Sequence, residues 1–133
     1  MTIHFQRELE DLRKRLLAEG AFVEDALAKA MRALVERDLP LAEQIMAGDA
    51  ELDRMEVELE EEILKVLALY QPVAHDLRLI IALLKMNNDL ERMGDIAANI
   101  AKRARWLARR DPVDWPYNVT LIAEKVASMV NRS

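Results

Sequence analysis

Four acidic residues, arranged as two pairs with the same spacing, are the side chains of this sequence best suited to chemistry. Asp49 and Asp53 form the first pair, and Glu91 and Asp95 form the second. Side chains four residues apart in an α-helix lie on one face, with Cβ atoms about 5–6 Å apart. Each pair therefore offers carboxylate oxygens that a hard cation, such as Mg²⁺, Ca²⁺, Mn²⁺ or ferric iron, could bridge.

The same acids could also be an ordinary solvated helix face. Residues 49–62 hold eight acids and a single base, Arg54, and acidic surface faces of this kind are common. Arg54 and Arg92 are placed where they could neutralise neighbouring acids within their own helices. Asn88 and Asn99 add amide oxygens beside the second pair, which favours the metal interpretation. The residues alone leave both interpretations open.

Other chemistries are disfavoured by composition. The chain has 133 residues, no cysteine and two histidines, so thiolate metal sites and disulfides are excluded. A di-iron carboxylate oxidase needs Glu-x-x-His pairs, and neither His4 nor His75 follows a glutamate by three positions. No phosphate-binding glycine loop or nucleophile motif occurs. The net charge of −5 disfavours a general nucleic-acid-binding protein. The sequence shows neither a signal peptide nor an apolar run long enough to span a bilayer.

Apolar residues with helical spacing predict the elements that position these acids. The stripes are broken where Asp38 precedes Pro40, at Gln71 and Pro72, and between residues 111 and 116, since proline disfavours helix continuation. Asp38 is the expected N-cap of the second helix. The four stripes are Phe5, Leu9, Leu12, Leu16, Val23, Leu27, Ala30 and Leu34; Leu41, Ile45, Leu52, Met55, Leu59, Ile63, Val66 and Tyr70; Leu83, Met86, Leu90, Met93, Ala97, Ile100 and Ala104; and Val119, Ile122, Val126 and Met129.

The predicted fold is all-α. Short connections force neighbouring helices to be antiparallel, which gives an up-down-up three-helix bundle with the start of a fourth helix. We expect Glu91 and Asp95 on the outward side of the bundle, and we expect its interior to hold no functional side chains. Residues 77–84 are apolar on both faces, so we expect the second face to meet the fourth segment, a further part of the protein or a partner.

Three motifs resemble the PhoU family of bacterial phosphate-signalling regulators. Residues 88–95, with the sequence NDLERMGD, resemble the signature of the family. Residues 71–78, with the sequence QPVAHDLR, are similar to its turn between the second and third helices, and Asp49-x-x-x-Asp53 is similar to its other acidic motif. The resemblance implies a PhoU-like three-helix repeat over residues 1–110. Residues 111–133 would then be a linker and the first helix of a second repeat.

Further expectations follow from this resemblance. Family members are cytoplasmic, non-enzymatic adaptors that keep the phosphate-starvation response off by relaying the state of a phosphate ABC transporter to a sensor histidine kinase. Contact with the transporter ATPase and the kinase would bring them to the membrane only peripherally, and a homo-oligomer is expected. Their acidic motifs hold iron or zinc clusters in some members and Mg²⁺ or Mn²⁺ in others. The residues that carry these motifs here are Asp49, Asp53, Glu91 and Asp95. A helical oligomerisation module without metal is the alternative, and a carboxylate-bridged metalloenzyme ranks last.

Overall fold

The structure, a computed structural model, describes residues 3–110 and 119–132, and within these ranges it contains helices and no strands. Helix α1 spans Ile3–Glu36, α2 spans Leu39–Tyr70, α3 spans Ala74–Ala108 and α4 spans Val119–Arg132. The predicted antiparallel three-helix bundle, with the start of a fourth helix, is confirmed. The linker predicted between α3 and α4 lies outside the described residues.

The two connections of the bundle form as their sequences predict. The side chain of Asp38 accepts a hydrogen bond from the backbone N–H of Leu41 at 3.1 Å, and Pro40 stands in the first turn of α2. At the other end of α2, Gln71 adopts the left-handed conformation and donates its backbone N–H to the carbonyl oxygen of Leu67 at 3.0 Å. Pro72 follows at once, so the helix cannot continue.

The core consists of two apolar clusters, one toward each end of the three-helix bundle. The first is built from large side chains and the second is rich in alanine, which lets the helices pack closely there. The first cluster contains Phe5, Leu9, Leu12, Leu16, Leu59, Ile63, Val66, Ile80 and Leu83. The second contains Leu27, Ala30, Ala33, Leu41, Ala42, Ile45, Ala97, Ala101 and Ala104.

Helix α3 differs from its predicted orientation in one respect. Met86, expected in the core stripe, is 52% exposed, whereas Asn87 and Gly94 are buried. The buried face of α3 is therefore rotated toward Asn87 and Gly94, two residues that a core stripe drawn from large apolar side chains leaves out. The core stripes of α1 and α2 are buried or half-buried as predicted.

Helix α4 packs against α1, and its Val126 and Val130 contact the alanine-rich cluster. Leu77, on the predicted second apolar face of α3, is 36% exposed. Of the alternatives given for this face, cover by the fourth segment is therefore not observed at Leu77.

Candidate metal centre

Three of the four predicted metal ligands lie together on the surface where α2 faces α3. Asp49 and Asp53 are one turn apart on α2, and Asp95 reaches them from α3. One carboxylate oxygen from each residue lies within 4.8 Å of the other two. We call these three residues the aspartate cluster.

The aspartate cluster concentrates negative charge at the edge of the bundle. Asp53 and Asp95 are exposed and Asp49 is half-buried. Burial raises the pKa of Asp49 above its usual value, the charges of Asp53 and Asp95 raise it further, and Lys102 partly offsets this rise. A cation between the three carboxylates would remove their mutual repulsion. Oxygen ligands without sulfur or imidazole are the donor set that hard cations prefer.

Arg54 and Arg92 pair with neighbouring acids of their own helices, but none of these partners belongs to the aspartate cluster. Arg54 contacts Glu58 at 2.9 Å and also binds Glu51, and both partners lie on its own helix. Arg92 lies 3.7 Å from Asp89. The positive charge of both side chains is therefore directed at acids outside the aspartate cluster.

Glu91, the fourth predicted ligand, does not join the aspartate cluster. Its side chain is exposed, as predicted for the outward side, and so is that of Asp95. Its charge acts instead on Glu19 of α1 and Glu56 of α2, where it raises the pKa of both carboxyls. Glu91 thus lies beside a second group of acids, whereas Asp95 belongs to the first. The flanking Asn88 and Asn99 are exposed.

Sequence reasoning missed that second group, because it treated the interior as purely apolar. Glu19, Glu56 and Asn87 are buried inside the bundle. Each stands three or four residues from a core leucine: Leu16 for Glu19, Leu52 for Glu56 and Leu83 for Asn87. Helical spacing alone would have found Glu19 and Glu56, had polar residues been placed on the same wheel as the apolar ones.

Gly94 allows α2 and α3 to approach each other at the aspartate cluster. A Cβ atom at this position would lie 2.5 Å from Cδ2 of Leu52 and 3.4 Å from Oε1 of Glu56. Leu52 precedes Asp53, and Gly94 precedes Asp95. The missing side chain therefore brings together the two backbones that carry the cluster.

Comparison with known proteins decides the family. The family model described as the PhoU domain matches residues 16–104. The chain belongs to the PhoU family. It is 41% identical over 127 residues to the phosphate-specific transport system accessory protein PhoU homolog of Aquifex aeolicus, covering 96% of this chain and 58% of that protein. The resemblance inferred from the three motifs is thereby confirmed.

Solved PhoU structures share the fold. The crystal structure of PhoU from Pseudomonas aeruginosa superposes with a TM-score of 0.89 at 41% identity, covering 96% of this chain and 61% of that one. The crystal structure of the phosphate transport system regulatory protein PhoU from Streptococcus pneumoniae superposes with a TM-score of 0.85 at 31% identity, covering 96% of this chain and 59% of that one. The chain thus spans about three fifths of these relatives. Among its described helices, none is both long and apolar enough to cross a bilayer.

Proposed function

We propose that this chain regulates phosphate transport and phosphate signalling as a non-enzymatic, cytoplasmic adaptor. Its relatives are named accessory proteins of a phosphate-specific transport system, which supports the transport role. In the proposed mechanism it contacts the ATPase of a phosphate ABC transporter and a sensor histidine kinase. It keeps the phosphate-starvation response off while phosphate is plentiful, and it reaches the membrane only through these partners.

The domain organisation is part of the proposal. Residues 1–110 form one three-helix repeat, and residues 111–133 supply a linker and the first helix of a second repeat. Two observations support this division: α4 packs against α1, and the relatives are longer than this chain. The complete adaptor would then present helix faces from both repeats to its partners.

The role of the acidic motifs is to hold metal on the face between α2 and α3. The observation that carries this proposal is the convergence of Asp49, Asp53 and Asp95 within 4.8 Å. These three residues would be ligands, and the exposed Glu91 would bind a second ion of a multinuclear site or its hydration shell. Among the metals that the family resemblance implies, the all-oxygen donor set favours Mg²⁺, Mn²⁺ or iron over zinc. Bound metal would neutralise the face and stabilise the contact between the two helices.

Metal binding is tested by titrating chelator-treated protein with MnCl₂ and measuring bound Mn²⁺ by equilibrium dialysis. We expect Asp95→Asn to weaken binding by about tenfold or more, because it removes a charged ligand. Glu61→Gln is the matched control, since Glu61 is an exposed acid of α2 outside the aspartate cluster. Equal affinity of Asp95→Asn and Glu61→Gln would reject the site.

The regulatory role is tested in a bacterium that lacks its own PhoU protein and carries a reporter of the phosphate-starvation response. We expect this chain to lower reporter expression in high phosphate, and Asp49→Asn/Asp53→Asn to relieve that repression. Reporter expression that is the same with and without the chain, at equal protein abundance, would contradict the proposal.

A second candidate function, self-association without metal, is favoured by exposed apolar side chains near the turn between α2 and α3. Leu69, Val73, Leu77 and Leu79 are 64%, 73%, 36% and 40% exposed. Exposed apolar surface of this kind marks interaction sites. Sedimentation of the wild type and of Leu79→Glu tests it: an oligomer that the substitution dissociates supports this role, and a monomer in both cases removes it.

A further inference from the structure

The exposed side of α3 changes from acidic to basic along one line of residues. From the middle of the helix to its end, residues three or four apart are exposed, namely Glu91, Asp95, Asn99, Lys102, Trp106 and Arg109. Residues at this spacing lie on one face of a helix. We call them the outer stripe of α3. The outer stripe is acidic before Asn99 and basic after it.

The acidic half of the outer stripe has more negative charge around it than its own two acids supply. Asp49 and Asp53 of α2 each place a carboxylate oxygen within 4.8 Å of one from Asp95. Together with Glu91, they make this half of the surface strongly negative. It therefore attracts a positively charged surface of similar size.

The basic half surrounds an exposed tryptophan with cations. Residues 102–110 hold five bases and no acid. Trp106 is 55% exposed, and the positions three and four residues before and after it are all basic: Lys102, Arg103, Arg109 and Arg110. The guanidinium of Arg110 lies 3.7 Å from the centroid of the Trp106 ring. Arg109 also lies 3.7 Å from Glu43, but both side chains are more than half exposed, so water screens this pair. Tryptophan and arginine are enriched at the centres of protein interfaces, which makes this half a candidate contact surface.

Capping of α3 does not explain all of these bases. Arg37, in the turn between α1 and α2, donates to the backbone carbonyls of Leu107 at 3.4 Å and Arg110 at 3.3 Å. It thus supplies positive charge to the C-terminal end of the helix. The attraction of a helix end for cations is confined to the last turn. Lys102 and Arg103 precede the last turn of α3, so their charge requires another explanation.

The outer stripe is complementary to itself. Its two halves lie on either side of Asn99, with their centres about 20 Å apart along the helix axis. Ile96 and Trp106, 51% and 55% exposed, add one large apolar side chain on each side of Asn99. Two such surfaces that meet in opposite directions place the acidic half of each on the basic half of the other. Two-fold dimers, the commonest oligomers, require a self-complementary surface of this kind.

The outer stripe is also long enough for a dimer contact. From Glu91 to Arg110 it extends about 30 Å along α3. In a standard interface each partner buries about 800 Å², which corresponds to a patch about 30 Å across.

We propose that the outer stripe of α3 is a dimer interface in which two copies of this chain pair in opposite directions. The bases of each copy lie against the aspartate cluster and Glu91 of the other copy. The second copy thus contributes positive charge to the acidic face, and charge complementarity fixes the orientation of the pair. The dimer needs only the charges of this face, so it does not depend on metal binding by the aspartate cluster.

The test is sedimentation of the protein in chelator and low salt, with two charge-reversed variants. We expect the wild type to form a dimer, and Arg103→Glu/Arg110→Glu and Glu91→Lys/Asp95→Lys each to weaken it by about tenfold or more. An equimolar mixture of the two variants should regain a dimer. At one end of this mixed dimer the unaltered halves meet, and at the other end the new glutamates meet the new lysines.

Two controls separate charge and position from other effects. Arg103→Lys/Arg110→Lys keeps the positive charge and should keep the dimer. Leu79→Glu alters the apolar surface near the turn between α2 and α3, and it should leave the dimer unchanged. Raising NaCl from about 0.05 M to about 0.5 M should weaken the wild-type dimer, because salt screens exposed charges. Circular dichroism establishes that each variant is folded.

Three results would overturn the proposal. The first is a wild type that remains monomeric in chelator and low salt. The second is a dimer that neither charge-reversed variant weakens, including one that only Leu79→Glu dissociates. The third is a mixture of the two charge-reversed variants that associates no more than either variant alone. Failure of Mn²⁺ to bind the aspartate cluster would leave all of these measurements unchanged, so the two proposals fail separately.

Discussion

The aspartate cluster and the buried pair Glu19 and Glu56 are both built from acids on facing helices, but water reaches only the first. Asp53 and Asp95 are exposed, so solvent screens their repulsion and the cluster costs the fold little. Glu19 and Glu56 are buried, so ionisation of either one opposes folding. The position of an acid relative to the core stripe, more than the number of neighbouring acids, therefore decides its effect on stability.

The largest expected effect is on stability without metal. In chelator at pH 8, Glu19→Met/Glu56→Met should raise the free energy of unfolding by about 1–4 kcal/mol, because apolar side chains of similar size replace poorly solvated charges. Asp53→Asn/Asp95→Asn should change it by less than about 1 kcal/mol. Urea unfolding followed by circular dichroism measures both values. The proposed difference between buried and exposed acids is wrong if Asp53→Asn/Asp95→Asn changes the free energy of unfolding more than Glu19→Met/Glu56→Met does.

The pH dependence of stability sharpens the same contrast. The pKa values of Glu19 and Glu56 rise from 4.5 to about 7 and about 8 on folding. The folded state therefore binds more protons than the unfolded state between these limits, and stability present in full below pH 4.5 is lost as pH rises through about 7–8. In chelator, the melting temperature should fall by at least about 5 °C between pH 5.5 and pH 8.5.

A control identifies the groups responsible for that fall. Glu19→Met/Glu56→Met should make the melting temperature nearly independent of pH over this range, whereas Asp53→Asn should leave its fall with pH unchanged. The explanation is rejected if the melting temperature of the wild type stays constant or rises over this range.

A smaller effect concerns the close approach of α2 and α3. Gly94→Ala should destabilise the protein by about 1–2 kcal/mol, because the new Cβ meets Cδ2 of Leu52 and its overpacking exceeds the gain in helix propensity. Gly20→Ala is the matched control. Its Cβ would lie 4.0 Å from Cδ1 of Leu90, so we expect it to stabilise by up to about 1 kcal/mol. Thermal unfolding measures the change in stability of each variant. Equal changes for Gly94→Ala and Gly20→Ala would show that α2 and α3 are not closely packed at Gly94.

Much of the fold was predictable, because local signals determine it. Asp38 and Pro40 begin α2, Gln71 and Pro72 follow its end, and the apolar spacing between these points has a single helical period. The orientation of α3 was predicted less well. Met86 was assigned to the core because it is apolar, although the packed face turns toward Asn87 and Gly94. Contacts from two neighbouring helices decide this rotation.

The candidate site was predictable only in part for a similar reason. The spacing of Glu91 and Asp95 places them on one helix face, and both are exposed as predicted. Their neighbours across the helix interface depend on the register of α3 against α1 and α2. That register brings Asp95 to Asp49 and brings the charge of Glu91 to Glu19. No pattern within a single helix contains this information.

Metal binding on the face between α2 and α3 is tested most simply by a crystal structure of the protein grown with MnCl₂ and measured for anomalous scattering. We expect an anomalous peak bounded by the carboxylates of Asp49, Asp53 and Asp95. A well-ordered aspartate cluster without such a peak, its carboxylates contacting only water at saturating Mn²⁺, would contradict it.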